Sequence, residues 1–349
     1  MISKARRRQF MKKTELEEQI ISAIDGEEWE MLYNGTLDVP VSEFNRKVLL
    51  ELMDEYNDFG DYSVEFSERQ VEELRKAVKT FLEETWPEQP DAHKYVIYAC
   101  LIRTFLDEKP MHPQEKTKYY TVMKDGKEQF FCPHKNNSTI CGYCVARSCE
   151  PLYEEWERKT AETEERYGTR SSDLQRHIYE AGFIEAGIIP TKDLVYYEDL
   201  RKYCRENRCG HYGVRWACPP AVGTVEECRQ RANEYDYMML FSKVYYLPFA
   251  YDLKSMSPAV ADFKRNLSVL DSTIKQQYPE RLILSVDSCE RCETCTYPDA
   301  PCRFPDELYY TIEGFGYYVI GLAKQAGIRY NNGSDYVTIF GAVFYKDKR

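Results

Sequence analysis

The sequence predicts an α+β protein in which an N-terminal helical domain, ending in a small hairpin and a cysteine knuckle, precedes a C-terminal cysteine-rich α+β sheet domain. Three observations lead to this fold class. The 349 residues exceed the length of one typical domain. Apolar residues recur at helical spacing in the first hundred residues, and short apolar runs alternate with helical segments in the second half. We place the domains at 1–150 and 181–349, with a charged connecting helix and linker over 151–180.

The N-terminal helices are predicted from caps and apolar spacing. Thr14 with Glu17, and Ser67 with Gln70, form the capping-box pattern, in which the two side chains satisfy backbone N–H groups of the first helical turn. Apolar residues follow both pairs at three- and four-residue intervals. Two further helices are expected at about 48–56 and 91–106.

A hairpin and a connecting helix are predicted next. The segment KYYTVMKDGKEQFF alternates in polarity around Asp125 and Gly126, a pair that suits the positive φ angles of a tight turn. The hairpin leads directly into Cys132. Between about 152 and 168 the chain is charged and has few apolar residues, so we expect an exposed helix at the domain boundary.

The second domain is predicted to contain a sheet. Its strand candidates are the short apolar runs GFIEAGIIP, YMMLFSKVYYL, RLILSV and DYVTIFGAVFY. The clearest helix between them runs from Pro258 to Gln277.

The charge balance excludes several function classes. With 47 Lys and Arg against 58 Asp and Glu, the net charge is −11, which makes nucleic acid an unfavoured partner. The basic run from Lys4 to Lys13 is interpreted as a solvated terminus.

The sequence shows no long apolar run and no secretion signal, so we expect a cytoplasmic protein without a membrane partner. Thiols stay reduced in that compartment, and metal binding is therefore favoured over disulfides.

The thirteen cysteines divide into three groups of four, with Cys100 left over as an expected core thiol. Four thiolates are the ligand number of a tetrahedral zinc ion or of an iron–sulfur cluster. The first group is Cys132, Cys141, Cys144 and Cys149, the second is Cys204, Cys209, Cys218 and Cys228, and the third is Cys289, Cys292, Cys295 and Cys302.

The third group has the most specific spacing. The segment CERCETCTYPDAPC places three cysteines at three-residue intervals in one loop, and the fourth follows a proline-bounded turn. Structural zinc more often binds two separate CxxC or CxxH knuckles, so this spacing favours a four-iron cluster.

The other two groups leave alternatives open. In the second group, Cys204, Cys209 and Cys218 lie in a glycine-containing loop that ends in Cys-Pro-Pro, while Cys228 is the least secure ligand and His211 is its alternative. The first group has one CxxC knuckle with two flanking cysteines and with His134 as a further candidate. Zinc and iron fit the first group equally well.

From about Gly182 onward, the chain resembles the predicted metal-binding proteins grouped as domain of unknown function 2284. The matching segments are IIP, KYCRENRCGHYGVRWACPPAVGTVEEC, CERCETCTYPDAPCRFP and AGIRYNNGSDYVTIFGAVFY. The resemblance implies a cysteine-rich metal site, with iron and sulfur as its expected constituents, in anaerobic archaea and bacteria. The ligands it implies are Cys204, Cys209, Cys218, Cys289, Cys292, Cys295 and Cys302.

The N-terminal half resembles domain of unknown function 2115, an archaeal family. The resemblance rests on the helix from Tyr95 to Leu106, on EKPMHP, and on FFCPHK with ICGYCV. The family's last cysteine follows its CxxC closely, whereas Cys149 comes five residues after Cys144. Together the two resemblances imply a fusion of two metal-binding modules.

Three functions fit these observations. The first is a redox protein in which one or two four-iron clusters, with zinc as an alternative at the N-terminal group, exchange electrons with a redox or methyl-transfer protein partner. The second is a cluster-dependent accessory in metallocofactor or methyl-transfer activation. The third is a zinc-stabilised interaction protein without redox activity. The sequence contains no nucleotide-binding loop, HExxH or GxSxG motif, and whether it is an enzyme is left open.

Several polar and aromatic residues near the cysteines are interpreted as structural. Arg303 is expected to neutralise thiolate charge, Trp216 to pack, and Asn331 with Asn332 to form a tight turn. Glu313 is likewise interpreted as a structural residue and not as a functional group of the site.

Overall fold

The computed structural model describes residues 10–55, 65–113, 119–124, 127–133, 139–246, 253–333 and 336–347. They form two compact units: Met1–Thr121 with Gln129–Cys149, and Val122–Glu128 with Glu150–Arg349. The first unit is mainly helical and the second contains a five-stranded sheet, so the predicted α+β fold class is confirmed.

The first unit is built from helices around one apolar core. The helices are α1 (Lys13–Ala23), α2 (Gly26–Asn34), α3 (Glu43–Glu55), α4 (Glu68–Thr85) and α5 (His93–Leu101), which a π-helical turn at Ile102–Leu106 continues. Residues at helical spacing such as Leu16, Val71 and Leu74 are completely buried, as their periodicity predicts. Two short strands, β1 (Phe10–Lys12) and β2 (Glu65–Ser67), pair antiparallel beside them.

Two details of these helices differ from the sequence-based expectation. Helix α1 begins before Thr14, and Glu15 instead accepts a hydrogen bond from the Lys12 backbone N–H at 3.3 Å. Helix α2 was not expected, although Asp25 and Glu28 cap each other's backbone N–H groups. Only Trp29 and Leu32 of this helix are buried, which is too few to give a clear apolar period.

A small sheet precedes and flanks the first cysteine group. It has the order β3 (Tyr120–Lys124), β4 (Lys127–Cys132), β5 (Arg147–Ser148), and the short helix α6 (Thr139–Tyr143) lies between β4 and β5 in the chain. The two predicted hairpin strands are thus confirmed. The expected turn at Asp125 and Gly126 lies outside the described residues.

The sheet of the second unit has the strand order β6-β7-β10-β8-β9. All neighbours are antiparallel except β8 and β9, which run parallel at one edge. The strands are β6 (Glu185–Pro190), β7 (Tyr237–Tyr246), β8 (Arg281–Ser285), β9 (Tyr310–Thr311) and β10 (Tyr336–Tyr345). The helices are α7 (Glu150–Tyr167), α8 (Thr169–Glu180), α9 (Arg201–Glu206), α10 (Val225–Ala232), α11 (Leu253–Ile274) and α12 (Val319–Ala326).

Both faces of this sheet are covered, which explains why its strands read as continuous apolar runs. Met239 and Val343 belong to a core that includes α8 and α11, whereas Leu240 and Phe344 belong to a second core on the opposite face. The second core contains Cys228 of α10. The cysteine segments of this unit are therefore connected to a rigid, fully packed sheet.

The segment 151–180 differs from the exposed connection that we expected. It forms α7 and α8, and α7 buries Leu152, Trp156 and Thr160. The Trp156 ring stacks on Tyr179 of α8 with 4.9 Å between ring centroids. Leu152, Trp156 and Thr160 recur once per helical turn and form a narrow buried stripe. Charged residues dominate the rest of the helix, and its average polarity therefore does not reveal this stripe.

Among the described residues, the structure has no helix with the length and apolarity needed to cross a membrane.

The close approach of β6 and α12 gives a stability prediction. A Cβ atom on Gly187 of β6 would lie 2.1 Å from the backbone oxygen of Ala326, at the end of α12. We expect Gly187→Ala to lower the free energy of unfolding of the second unit by about 1–3 kcal/mol, because strand and helix must separate. Urea unfolding, fitted with separate transitions for the two units, measures this change.

Gly321→Ala in α12 is the matched control. A Cβ atom at Gly321 meets nothing closer than 3.8 Å. Alanine is the better helix former, so this variant should be neutral or more stable by up to about 1 kcal/mol. Equal destabilisation by both substitutions would contradict the packing argument.

Candidate metal centres

The third cysteine group follows the parallel strand pair at the edge of the sheet. Ser285 of β8 pairs with Thr311 of β9, so both strands end at the same edge. The loop after β8 contains Cys289, and the turn after β9 contains Glu313. The carboxyl ends of parallel strands are the usual position of ligand sites in α/β sheets, because the following loops converge there.

The four thiols of the third group line one pocket, which we call the four-thiol pocket. Cys289, Cys292, Cys295 and Cys302 all contribute to its wall, and each is partly exposed. The loop thus brings together the residues that its CxxCxxC spacing predicts as ligands of one centre.

Hydrogen bonds fix the shape of the four-thiol pocket. The Ala300 N–H donates to the Thr296 carbonyl at 2.9 Å, and the Thr296 hydroxyl donates to the Pro301 carbonyl at 2.8 Å. From outside the loop, the Trp216 indole N–H donates to the Ala300 carbonyl at 3.1 Å. Trp216 also packs edge-on against Tyr297, which confirms its predicted packing role.

The charges around the pocket suit a group of thiolates. Arg215, Arg291 and Arg303 line it together with the cysteines. Burial raises the pKa of the Cys289 thiol, and the other three thiols of the group raise it further. Four neighbouring thiolates repel one another, and a bound cation removes that repulsion. The donor set and its arginine surround therefore fit a metal centre.

The second group has its first three cysteines in the segment that runs from α9 to Cys218, which we call the three-thiol loop. Cys204 lies on α9, Cys209 is exposed, and Cys218 is buried. Asn207 ends α9 in the left-handed conformation with φ +51°, and its side chain accepts a hydrogen bond from the Tyr212 N–H at 2.9 Å. The Gly213 N–H donates to the Pro219 carbonyl at 2.9 Å and closes the loop.

The three thiols of this loop influence one another electrostatically. Burial raises the pKa of Cys218 to about 11, with contributions from Cys209 and Cys204. Burial also raises the pKa of Cys204, while the nearby Arg201 guanidinium opposes the rise. These contributions place the three cysteines within electrostatic range of one another.

Cys228 lies in different surroundings. It is completely buried in the apolar core of the sheet face that bears α10. Its sulfur accepts hydrogen bonds from the guanidinium groups of Arg231 at 3.3 Å and Arg201 at 3.6 Å. The Cys228 thiol also donates to the Val222 carbonyl at 3.6 Å, and burial raises its pKa, so the buried sulfur is held as a hydrogen-bonded thiol.

The three-thiol loop and the four-thiol pocket are in direct contact. The Cys218 thiol donates a hydrogen bond to the Ser288 hydroxyl at 3.4 Å, and Ser288 directly precedes Cys289. The Arg215 guanidinium donates to the Cys289 carbonyl at 2.7 Å. These two hydrogen bonds link the three-thiol loop to Ser288 and Cys289.

His211, the alternative ligand of the second group, has a carboxylate neighbour. Its Nε2 atom lies 3.4 Å from Asp287 Oδ1. The Lys264 ammonium group lies 3.5 Å from the other oxygen of Asp287 and donates to the Ser288 carbonyl at 2.8 Å. Asp287 therefore contacts His211 of the three-thiol loop and lies just before Ser288 and Cys289, where the segment that lines the four-thiol pocket begins.

The first cysteine group lies around the small sheet of the first half. Cys132 is the last residue of β4 and pairs with Ser148 of β5. The buried Cys149 directly follows Ser148. Cys141 lies on α6 and Cys144 directly follows that helix. The alternative ligand His134 lies outside the described residues.

Cys100, which sequence reasoning left as a spare thiol, lies close to this group. It packs against the first core together with Cys144. Burial raises the pKa of Cys100 to about 12, and Cys144 contributes to the rise. No local pattern of residues indicates this proximity, because Cys100 precedes the hairpin in the chain and comes near Cys144 only through tertiary packing.

Within the described parts of the chain, no three Cys, His, Asp or Glu side chains are arranged closely enough to coordinate a single metal ion directly.

Two family models match the chain. Residues 187–345 match the family described as predicted metal-binding protein (DUF2284), and residues 18–149 match the family described as uncharacterized protein conserved in archaea (DUF2115). Both resemblances noted in the sequence are confirmed. The first match supports a metal cofactor in the second unit. Neither the curated proteins nor the solved structures contain a significant match.

The raised thiol pKa values predict how metal binding depends on pH. Below the pKa of a thiol, a metal ion must displace its proton, so affinity rises with pH by up to about tenfold per pH unit for each proton displaced. We expect the affinity of the anaerobically prepared metal-free protein for Co²⁺ to rise between about pH 6 and pH 8. The thiolate-to-cobalt absorption measures this binding.

The double variant Cys292→Ser and Cys295→Ser is the control. It should lose the fraction of the cobalt absorption that belongs to the four-thiol pocket and keep the rest. A wild-type affinity that is constant with pH would show that the thiols do not bind the metal.

Proposed function

We propose that this protein binds iron–sulfur clusters and transfers electrons in an anaerobic metabolism. The observation that supports it most directly is the four-thiol pocket, which is lined by the three cysteines of the CxxCxxC motif, by Cys302 and by three arginines. The match to a predicted metal-binding family supports the metal, and the loop spacing favours a four-iron cluster over zinc.

The residues that would hold the first cluster are Cys289, Cys292, Cys295 and Cys302. A bound four-iron cluster would supply reversible one-electron chemistry at this position. Around it, the arginines would offset the charge of the four thiolates, and the ring of Trp216 would cover part of the loop. These features would set the reduction potential of a bound cluster through charge, hydrogen bonding and solvent access.

A second centre at the three-thiol loop would form an electron path with the first. The contact between Cys218 and Ser288 joins the three-thiol loop to the residue that precedes Cys289. Two neighbouring centres allow an electron to enter at one and leave from the other. We propose a redox protein or a methyl-transfer protein as the partner that receives this electron.

For the first cysteine group we propose a structural metal, with Cys132, Cys141, Cys144 and Cys149 as ligand candidates. Zinc and iron remain alternatives there. The group lies where a short sheet meets α6, so a metal would tie segments that few apolar residues hold together.

Anaerobic purification tests the proposed function. We expect a brown protein with a broad absorption band that dithionite bleaches, and with iron and acid-labile sulfide in equal amounts. Cys292→Ser with Cys295→Ser should remove the part of the iron that belongs to the four-thiol pocket. A colourless protein that holds zinc in all groups would instead indicate an interaction protein without redox activity.

The arginine surround gives a further prediction. Arg303 lines the four-thiol pocket and donates to the Thr294 carbonyl at 3.0 Å. A positive charge stabilises the reduced, more negative cluster, so Arg303→Gln should lower the reduction potential. A dithionite titration followed by absorption measures it. Arg158→Gln, at an exposed position of α7, is the control and should leave the potential unchanged. A rise of the potential in Arg303→Gln would contradict the proposed role.

A further inference from the structure

The wall of the four-thiol pocket includes an aromatic ring that is exposed to solvent. Phe304 lines the pocket, and 39% of its surface is accessible. The Arg291 guanidinium lies 5.1 Å from the centroid of this ring and holds it in place. Exposed aromatic and arginine side chains are enriched where proteins bind other proteins. Phe304 therefore marks the mouth of the pocket as a surface that a protein can contact.

The surface around Phe304 is apolar and stiff. Val214, next to the pocket residue Arg215, is 48% exposed, and Pro298, Pro301 and Pro305 are exposed as well. We call the surface formed by residues 290–307 together with Val214 the pocket rim. Its prolines restrict the backbone, and the Thr296 hydroxyl donates to the Pro301 carbonyl at 2.8 Å. A surface with so little conformational freedom loses little entropy when it binds.

The pocket rim also carries uncompensated acidic charge. Its exposed carboxylates are those of Glu290, Glu293, Asp299, Asp306 and Glu307. Glu290 is ion-paired with Lys264 at 2.8 Å, and Glu307 with Arg291 at 2.6 Å. Within the described residues, the other three carboxylates have no ion pair.

The positive charges of this region face inward. Arg215 and Arg303 line the pocket together with the four thiols. In a loaded centre, the thiolates would offset these guanidinium groups. An approaching protein would consequently meet the carboxylates of the rim, on a chain whose net charge is −11. Such a surface repels acidic proteins and attracts basic ones.

We propose that the pocket rim is the docking site for a redox protein that presents a basic surface around its own redox group. Phe304 would form the apolar centre of the contact, and Glu293, Asp299 and Asp306 would pair with lysines or arginines of the partner. The inference rests on the proposed function, because it takes the four-thiol pocket as a redox centre.

The position of the rim suits electron exchange. Arg303 and Phe304 directly follow Cys302, and Glu293 directly follows Cys292, so a protein bound to the rim lies next to the thiols. One electron would pass from the reduced cluster to the oxidised group of the partner, or in the reverse direction. No atom is transferred in this step, so only the docking geometry and the two potentials govern it.

Stopped-flow kinetics test the docking site with mitochondrial cytochrome c as a basic probe. The anaerobic protein is reduced with dithionite, freed of the excess, and mixed with oxidised cytochrome c. We expect the second-order rate constant to fall by at least about tenfold between about 10 and 300 mM NaCl, because salt screens the attraction. Reduction of a neutral benzoquinone should not depend on salt.

Neutral variants assign the charges. Glu293→Gln combined with Asp299→Asn and Asp306→Asn should lower the low-salt rate with cytochrome c by about three- to tenfold and weaken its salt dependence. The iron content and the benzoquinone rate should not change. Glu154→Gln combined with Glu165→Gln and Glu234→Gln is the matched control, since it removes the same charge at exposed residues outside the rim and should keep most of the rate.

The apolar centre has its own variant. Phe304→Ala should lower the cytochrome c rate at low and high salt by a similar factor, because it removes apolar contact and leaves the charge unchanged. Val269→Ala is the control, at a residue of α11 that is 58% exposed, and should keep the wild-type rate.

Cross-linking locates the contact independently of the rates. A water-soluble carbodiimide joins carboxylates to lysines that touch them, so mass spectrometry should find cytochrome c linked to Glu293, Asp299 or Asp306. A protein without an iron–sulfur spectrum overturns the proposed function itself. With the spectrum present, a rate independent of salt, a rate that rises with salt, or cross-links confined to other carboxylates overturns the docking site.

Discussion

Both cysteine groups of the second unit depend on the parallel pairing of β8 with β9. This pairing makes two strands end at the same edge of the sheet, with Ser285 opposite Thr311. The loop with Cys289 and the turn with Glu313 consequently start side by side. An antiparallel β9 would have placed its turn at the opposite edge. The three-thiol loop then packs over this edge through Cys218 and Ser288.

The electrostatics of the site follow from concentrating thiols at one edge. Each thiol that loses its proton makes the next deprotonation harder, and burial adds to this cost. The fold compensates at separate places. Three arginines line the four-thiol pocket, while Arg201 neighbours both Cys204 and Cys228. A cation bound by the thiolates would offset their remaining negative charge. The cysteines and the charged residues around them therefore fit a metal site.

Rigidity comes from the sheet and from close backbone contacts. Both faces of the sheet are covered by apolar cores, so its edge cannot shift without disturbing the packing. Near the site, Gly314 brings its backbone against the Thr311 side chain, where a Cβ atom would lie 2.2 Å from the hydroxyl oxygen. Only glycine permits this approach, and it fixes Glu313 relative to Cys218. The cysteines can therefore lie in loops and still be held in position.

The sequence by itself determined the local features of this protein. Apolar periodicity predicted the main helices and the long strands, because these patterns arise from neighbouring residues. The spacing of Cys289, Cys292 and Cys295 predicted that they act together, and these residues line one pocket. Only the tertiary structure placed Cys228 in an apolar core, Cys100 near Cys144 and Glu313 beside the three-thiol loop. Those positions depend on contacts between segments that are distant in the chain, and no local pattern of residue types encodes which distant segments will meet.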